Sequence, residues 1–259
     1  MQKIRDKEGN VVSGYEMQKV IIEYIRNIHK AEDPNDAMDV QKWDFDMDIS
    51  INKAKEISKV ISNGKALSWD CIKDSSFKLC NRCYEGIACG GCMNVIQRIR
   101  DVFKKDFWER KCADLHFKSR LIPLDKAFPK ILGPEEAFRP ICVSSTVIRI
   151  LEASLIGKLK DYVKNNVHFS QCGFIGGRSC AHNLVRLHML RKNIKKGIIL
   201  TIDWSSAYNR TLRKGIFERL KRDKVYDTNE LKILAFVLTN LEIKIGKEST
   251  KTEISVQQG

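Results

Sequence analysis

No run of apolar residues in this 259-residue sequence approaches the length needed to cross a bilayer, which excludes a membrane-spanning helix. The opening Met1-Gln2-Lys3-Ile4-Arg5-Asp6 has no apolar core of the kind a secretory signal carries, and Asp6 and Glu8 are out of place in a typical mitochondrial transit peptide. The expectation is an intracellular protein, nuclear or mitochondrial being left open, whose nine cysteines are reduced thiols rather than disulfides. Acidic side chains are scarce, 32 against 46 Lys and Arg, for a net charge of +14. The first fifty residues alone hold eleven acids and seven bases, so the whole basic surplus lies downstream. That remainder is where a polyanion would bind, with a basic face kept for solubility as the plainer alternative. The glycine-rich stretch Gln171 to Ser179 lacks the Gly-Lys-Ser/Thr ending of a P-loop, and no histidine convincingly partners a cysteine for thiol chemistry.

What is present is enough for a sizeable core, with hydrophobic residues at 43% of the chain, as one large domain or two small ones. Helical spacing of Val20, Ile21, Tyr24, Ile25 and Ile28 predicts a helix over 16–30, and residues 31–48, acidic and carrying Trp43 and Phe45, read as a connector. Further helices are expected from Asp48 to Asn63-Gly64, over 93–110, 145–165, 182–195, 212–222 and 229–241. Strands are expected over 118–126, from Arg139, and in a hairpin of 242–246 with 251–256. The β-branched run after Gly197 (Ile198-Ile199-Leu200-Thr201-Ile202) reads as a buried strand with Asp203 at its exit. A carboxylate held there suits a divalent cation, although strand ends also carry Asp simply as a turn former.

Cys80-Asn81-Arg82-Cys83 and Cys89-Gly90-Gly91-Cys92 are two Cys-x-x-Cys pairs. Each pair can place two thiolates on one tetrahedral ion. The short spacer leaves two readings open, structural Zn²⁺ or reduced cysteines that bind nothing.

The stretch Leu200-Thr201-Ile202-Asp203-Trp204-Ser205-Ser206-Ala207-Tyr208-Asn209 resembles the first catalytic segment of reverse transcriptases, and other stretches agree with it in order. They are Gly64 to Asp70, Arg120 to Lys126, Phe138 to Ser145 running on to Arg149-Ile150-Leu151-Glu152, Gln171 to Gly173-Phe174 with Gly177-Arg178-Ser179, and the closing Val256-Gln257-Gln258-Gly259. The likeness covers nearly the whole chain and is nearest to the non-LTR retrotransposon and group II intron branch. It implies an α+β, helix-rich fold, the fingers and partial palm of a right-hand polymerase. On that map 1–49 is an N-terminal helix and acidic linker, 50–196 the fingers with a Cys-rich insertion at 80–92, and 197–259 the first part of the palm.

The resemblance also implies roles. Asp203 matches the carboxylate that bridges two Mg²⁺ ions, Lys126 and Arg139 the basic residues over the incoming triphosphate, Tyr208 the aromatic under the sugar that favours deoxynucleotides, and Gln258 the nucleotide-pocket glutamine. Lys65, Gln171 and Arg178 would lie along an RNA template and DNA primer; the cluster Arg191, Lys192, Lys195 and Lys196, by its charge, is placed for the same nucleic acid or merely for the helix dipole. Two departures stand out: Ser68 replaces the family's usual Gly, and Gln257 its proline. No Asp-Asp occurs in the chain, so the family's second carboxylate pair is missing from it and the two-ion site is incomplete. The expectation is a reverse transcriptase fragment that extends no primer alone, with a second chain or a longer protein supplying the remaining palm and thumb. The alternatives are a degenerate derivative that binds RNA or organises an assembly without catalysis, and a zinc-stabilised interaction module.

Overall fold

The computed structural model describes residues 3–61, 66–110, 113–126, 133–194, 196–204 and 207–254, leaving aside the side chains of residues 135 and 136. The chain divides into two compact units, residues 1–155 with 206–259, and residues 156–205.

The first unit is organised by one mixed sheet and the helix lying on it. A small hairpin, β1 (Lys3–Arg5) with β2 (Val11–Ser13), turns through Gly9 at positive φ and leads into α1 (Gly14–Ile28). The sheet is built from β3 (Lys118–Asp125), β4 (Phe138–Val143), β5 (Glu242–Ile245) and β6 (Glu248–Lys251), in the order β4-β3-β5-β6. The β3–β5 pair is parallel and the other two are antiparallel. Helix α1 turns Ile21, Ile22 and Ile25 onto one face of this sheet, against Leu121, Phe138, Cys142, Ile243 and Ile245. Burying each such side chain stabilises the fold by about 1.5–3 kcal/mol, so this contact is a principal source of the unit's stability.

The expected hairpin near the C-terminus is present but tighter than its sequence implied. Ser249 and Thr250, expected in the turn, pair with Lys244 and Ile243, and the turn shrinks to Gly246-Lys247. Gly246 sits at φ +57, where a two-residue turn needs a residue without a side chain, and a Cβ there would collide with Gln18 of α1.

The same unit also contains α2 (Ile51–Val60), α3 (Asn81–Glu85), α4 (Gly90–Asp101), α5 (Lys105–Trp108), α6 (Pro134–Ala137) and, after β4, the first part of α7 (Thr146–Asn166). Ser50 caps α2 by accepting a hydrogen bond from Lys53 N, and Ala54 and Ile57 of α2 are buried in the same layer as Ile96 and Ile99 of α4. The acidic stretch expected as a connector is irregular apart from a short 3-10 turn at Pro34–Asp36, yet it is pinned. Trp43 is buried, stacks on Phe45 and meets Phe103, Trp108 and Phe236 edge-on or tilted, while Gln41 O accepts from Asn240 Nδ2. Two more helices complete the unit, α9 (Arg213–Arg222) and α10 (Thr228–Thr239), the latter capped by an Asp227–Glu230 box.

The division between the units falls within α7. Beyond it the second unit contains the glycine-rich loop, α8 (Cys180–Asn193) and the run leading to Asp203. Here an expectation fails. Residues 197–204 form no strand and are exposed, with Ile198 at 98% and Leu200 at 79%. Propensity alone cannot make a strand, which exists only by hydrogen bonding to a neighbour. The four strands of the sheet come from other segments, and among the described residues none pairs with this run.

Candidate functional site

Lys126 and Arg139 owe their placement to the register of β3 and β4. Leu124 lies opposite Arg139, and the backbone N–H of Lys126 donates to Ala137 O at 3.0 Å, continuing the ladder one step past the strand. Pro123 faces Pro140, and since neither has an N–H to give, this pair must fall at a non-hydrogen-bonded position, which sets the phase of the ladder. Alternation then sends Leu121, Phe138 and Cys142 toward α1, and Arg120, Lys126 and Arg139 to the opposite face, where all three are exposed. The neighbouring strands add Lys244 and Lys251 to that face by the same register. The result is a sheet with an apolar side under a helix and an opposite side where these five basic residues stand among half-buried Ile122, Ile141 and Val143, with Glu242 facing Lys251.

Trp69 belongs to this basic side and its role was missed in the sequence. Lys244 Nζ lies 4.5 Å from the centre of its ring. The preceding Ser68 is buried and donates from Oγ to Lys118 O at 2.9 Å, fastening the 66–70 stretch to the start of β3. Ser68 is not among the positive-φ residues, so the glycine usual at this position is not required here by backbone conformation. Ser68→Gly is expected to cost about 1 kcal/mol through loss of that hydrogen bond, measured as a lowered midpoint of thermal unfolding.

The same stretch is tied to the residues after β4. Asp70 Oδ2 accepts from Ser145 Oγ and lies 3.0 Å from His116 Nδ1, while Asp74 pairs with Arg149 Nη2 at 2.5 Å and accepts from Thr146 Oγ1 at 2.8 Å. Burial alone would raise the Asp70 carboxyl, but hydrogen bonds from His116, Ser145 and Ile72 N outweigh it and hold its pKa below the usual value. Two of the stretches singled out in the sequence are therefore parts of one buried polar joint. Its signal in the sequence was only the coincidence of acids in one with hydroxyls and an arginine in the other.

Tyr208 lies in the turn 207–210, partly exposed, next to Asn209, whose Oδ1 is 3.4 Å from Nε2 of buried His29. Asp203 belongs to the second unit and is exposed, not held at a buried strand end as expected. Also in that unit, Arg178 Nη1 donates to His168 O and Gln171 O at 3.1 and 2.9 Å, bracing the glycine-rich loop, while Gln171 Nε2 donates to Gly173 O. Phe174 at the loop's tip is 98% exposed and adopts φ 61, a costly conformation for a bulky residue. Arg191 and Lys192 close α8 and are exposed, as is Lys196. Lys65, Lys195, Gln257 and Gln258 lie outside the described residues.

Among the described residues, the cysteines 80, 83, 89 and 92 form a group of ligating side chains close enough to share an ion, their sulfurs within 4.8 Å of one another. For Mg²⁺, Asp203 offers one accessible oxygen ligand of the one or two carboxylates such an ion takes from protein.

The family model described as reverse transcriptase (RNA-dependent DNA polymerase) matches residues 129–259, just over half of the chain. No curated protein matches it.

Proposed function

Since the chain belongs to the reverse transcriptase (RNA-dependent DNA polymerase) family, we propose that it supplies the fingers and first part of the palm for RNA-templated DNA synthesis, with the basic face of its sheet receiving the incoming deoxynucleoside triphosphate. The observation that carries this reading is that Arg139 in β4 and Lys126, one step past the end of β3, fall on the same face by the ladder's register. A planar guanidinium grips phosphate oxygens in pairs, and an ammonium beside it adds a compact positive charge, so the two together suit a polyphosphate. Tyr208 would then stand under the sugar and Gln258 along the base, while Arg178, Arg191, Lys192 and Lys196 carry the phosphodiester backbones of template and primer. Asp203 would help to hold Mg²⁺, whose chemistry when bound is a lowered pKa for the primer hydroxyl and charge stabilisation for the pyrophosphate. On this reading Asp203 is the carboxylate assigned to that ion, and since no Asp-Asp occurs in the sequence the polypeptide is proposed to bind the substrates without joining them. The type of element it derives from is proposed from its motifs to be a non-LTR retrotransposon or group II intron.

One experiment separates binding from catalysis. The purified chain is expected to bind labelled dTTP in the presence of Mg²⁺, to bind a poly(A)·oligo(dT) hybrid with an affinity that falls steeply with salt, and to incorporate no nucleotide. Substituting both Lys126→Ala and Arg139→Ala should weaken dTTP binding by about tenfold or more, since each lost charge-assisted contact is worth roughly 1.5–3 kcal/mol before neighbours compensate. Undiminished dTTP binding by the double variant would remove the sheet face from the proposal. Clear incorporation by the wild-type chain would show that another carboxylate completes the ion site.

A further inference from the structure

We infer that Cys80, Cys83, Cys89 and Cys92 form a closed tetrathiolate site for one structural Zn²⁺ ion, which fastens helix α3 and the loop after it to helix α4. The inference starts from spacing and ends in geometry. Each Cys-x-x-Cys pair has the same local setting: Cys80 stands directly before α3 with Cys83 in its first turn, and Cys89 directly before α4 with Cys92 in its first turn. The loop between the pairs brings them face to face. Cys80 Sγ is 3.1 Å from Cys83 Sγ and 3.7 Å from Cys92 Sγ, and all four sulfurs lie within 4.8 Å of one another. A tetrahedral ion with Zn–S bonds of about 2.3 Å spaces its sulfurs about 3.8 Å apart, so these thiols need move by no more than about an ångström to close on one.

The backbone completes the arrangement in a reciprocal way. Cys80 N donates to Cys92 Sγ and Cys89 N donates to Cys83 Sγ, both at 3.3 Å, each pair supplying an N–H to a sulfur of the other. Such donors stabilise thiolate in preference to thiol, which is the ligand form. Four sulfurs fill a tetrahedron and leave no position for water or substrate, which distinguishes a structural ion from a catalytic one, and an all-thiolate set favours Zn²⁺ over Mg²⁺ or Ca²⁺.

The segment also has need of such a fastening. Helix α3 has five residues and only Cys83 among them is buried, so neither its length nor its apolar content can hold it folded. Its own ties to α2 are polar, Tyr84 OH lying 3.2 Å from Ser58 Oγ and Lys55 Nζ donating to Gly86 O at 2.6 Å, and the apolar anchors Phe77 and Leu79 lie before it rather than in it. Cys92, by contrast, sits on α4, whose Ile96 and Ile99 are anchored in the core. An ion shared by both pairs would transmit that anchorage to α3.

The test uses the whole chain, purified under reducing conditions without chelator. Elemental analysis should find one equivalent of zinc, a mercurial reagent should release it, and Co²⁺ should replace it with the visible spectrum of tetrahedral tetrathiolate coordination. A strong chelator should lower the thermal midpoint and added Zn²⁺ restore it. Cys83→Ser and Cys92→Ser should reduce zinc to background, while Cys142→Ser, a buried cysteine outside the cluster, should keep it. Because the decisive readings are on the wild-type protein, they stand even where a variant fails to fold. A wild-type chain that carries no metal, melts identically with and without chelator, or holds these cysteines as disulfides by mass spectrometry overturns the inference.

Discussion

Arg213→Ala is expected to lower the free energy of unfolding by about 4 kcal/mol, read from the urea midpoint at neutral pH. The side chain is 1% exposed, the largest of the fully buried ones among the described residues. Its Nη1 donates to Leu238 O at 2.7 Å and to Thr252 O at 2.9 Å, and its Nη2 to Thr252 Oγ1 at 2.5 Å. Leu238 belongs to the last turn of α10, where carbonyls have no partner within the helix, so Arg213 at the start of α9 satisfies an acceptor that the fold would otherwise bury unpaired. Burial pushes its pKa down to about 10, still well above neutrality, and the group is held as a cation. Arg213→Met keeps most of the volume and isolates the hydrogen bonds; it should retain about 2 kcal/mol of the loss. A methionine variant as stable as the wild type would mean that packing alone accounts for the site.

Acid should destabilise the protein well before most of its carboxylates titrate. Burial of His29 lowers its pKa from 6.5 to about 4, against smaller opposing help from the hydrogen bond with Asn209. The ring fits a neutral tautomer with Nε2–H donating to Asn209 Oδ1, because Nδ1 is buried without a hydrogen-bond partner among the described residues. Below pH 6.5 the unfolded chain takes up a proton that the folded chain resists until about pH 4. Stability from this group is therefore complete above 6.5 and lost as pH falls toward 4, by up to about 3 kcal/mol. Asp70, whose pKa is depressed, adds a loss of the same sign at lower pH. Urea midpoints should fall between pH 7 and pH 4.5 in the wild type and fall distinctly less in His29→Gln; a wild-type profile flat across that range would contradict the assignment. The consequence reaches the candidate site, since the main-chain carbonyl of His29 accepts from Glu253 and Ile254 while its ring holds Asn209, the neighbour of Tyr208.

Much of this architecture was legible in the sequence because it rests on local periodicity. Ile21 and Ile25 mark the buried stripe of α1 and Ile148, Leu151 and Leu155 that of α7, and a strand was expected over 118–126, all of which the structure reproduces. The two cysteine pairs were equally visible, since a repeated spacing survives in one dimension. The run after Gly197 was misread for the complementary reason: its residues have the composition of a buried strand, but burial and pairing are properties of a neighbour, and local composition does not say whether one is there.

By itself, then, the order of residues determined the helices, the strand alternation and the family, since each is written in spacings of two to four residues or in short motifs. Tertiary structure alone decided that Lys126 and Arg139 share a face, that Asp70 and Asp74 bind residues more than seventy positions away, and that Arg213, an ordinary surface-like charge in the sequence, lies at the centre of a packed joint. These are relations between segments far apart along the chain. Ladder register, burial and unpaired carbonyls come into being only when those segments meet.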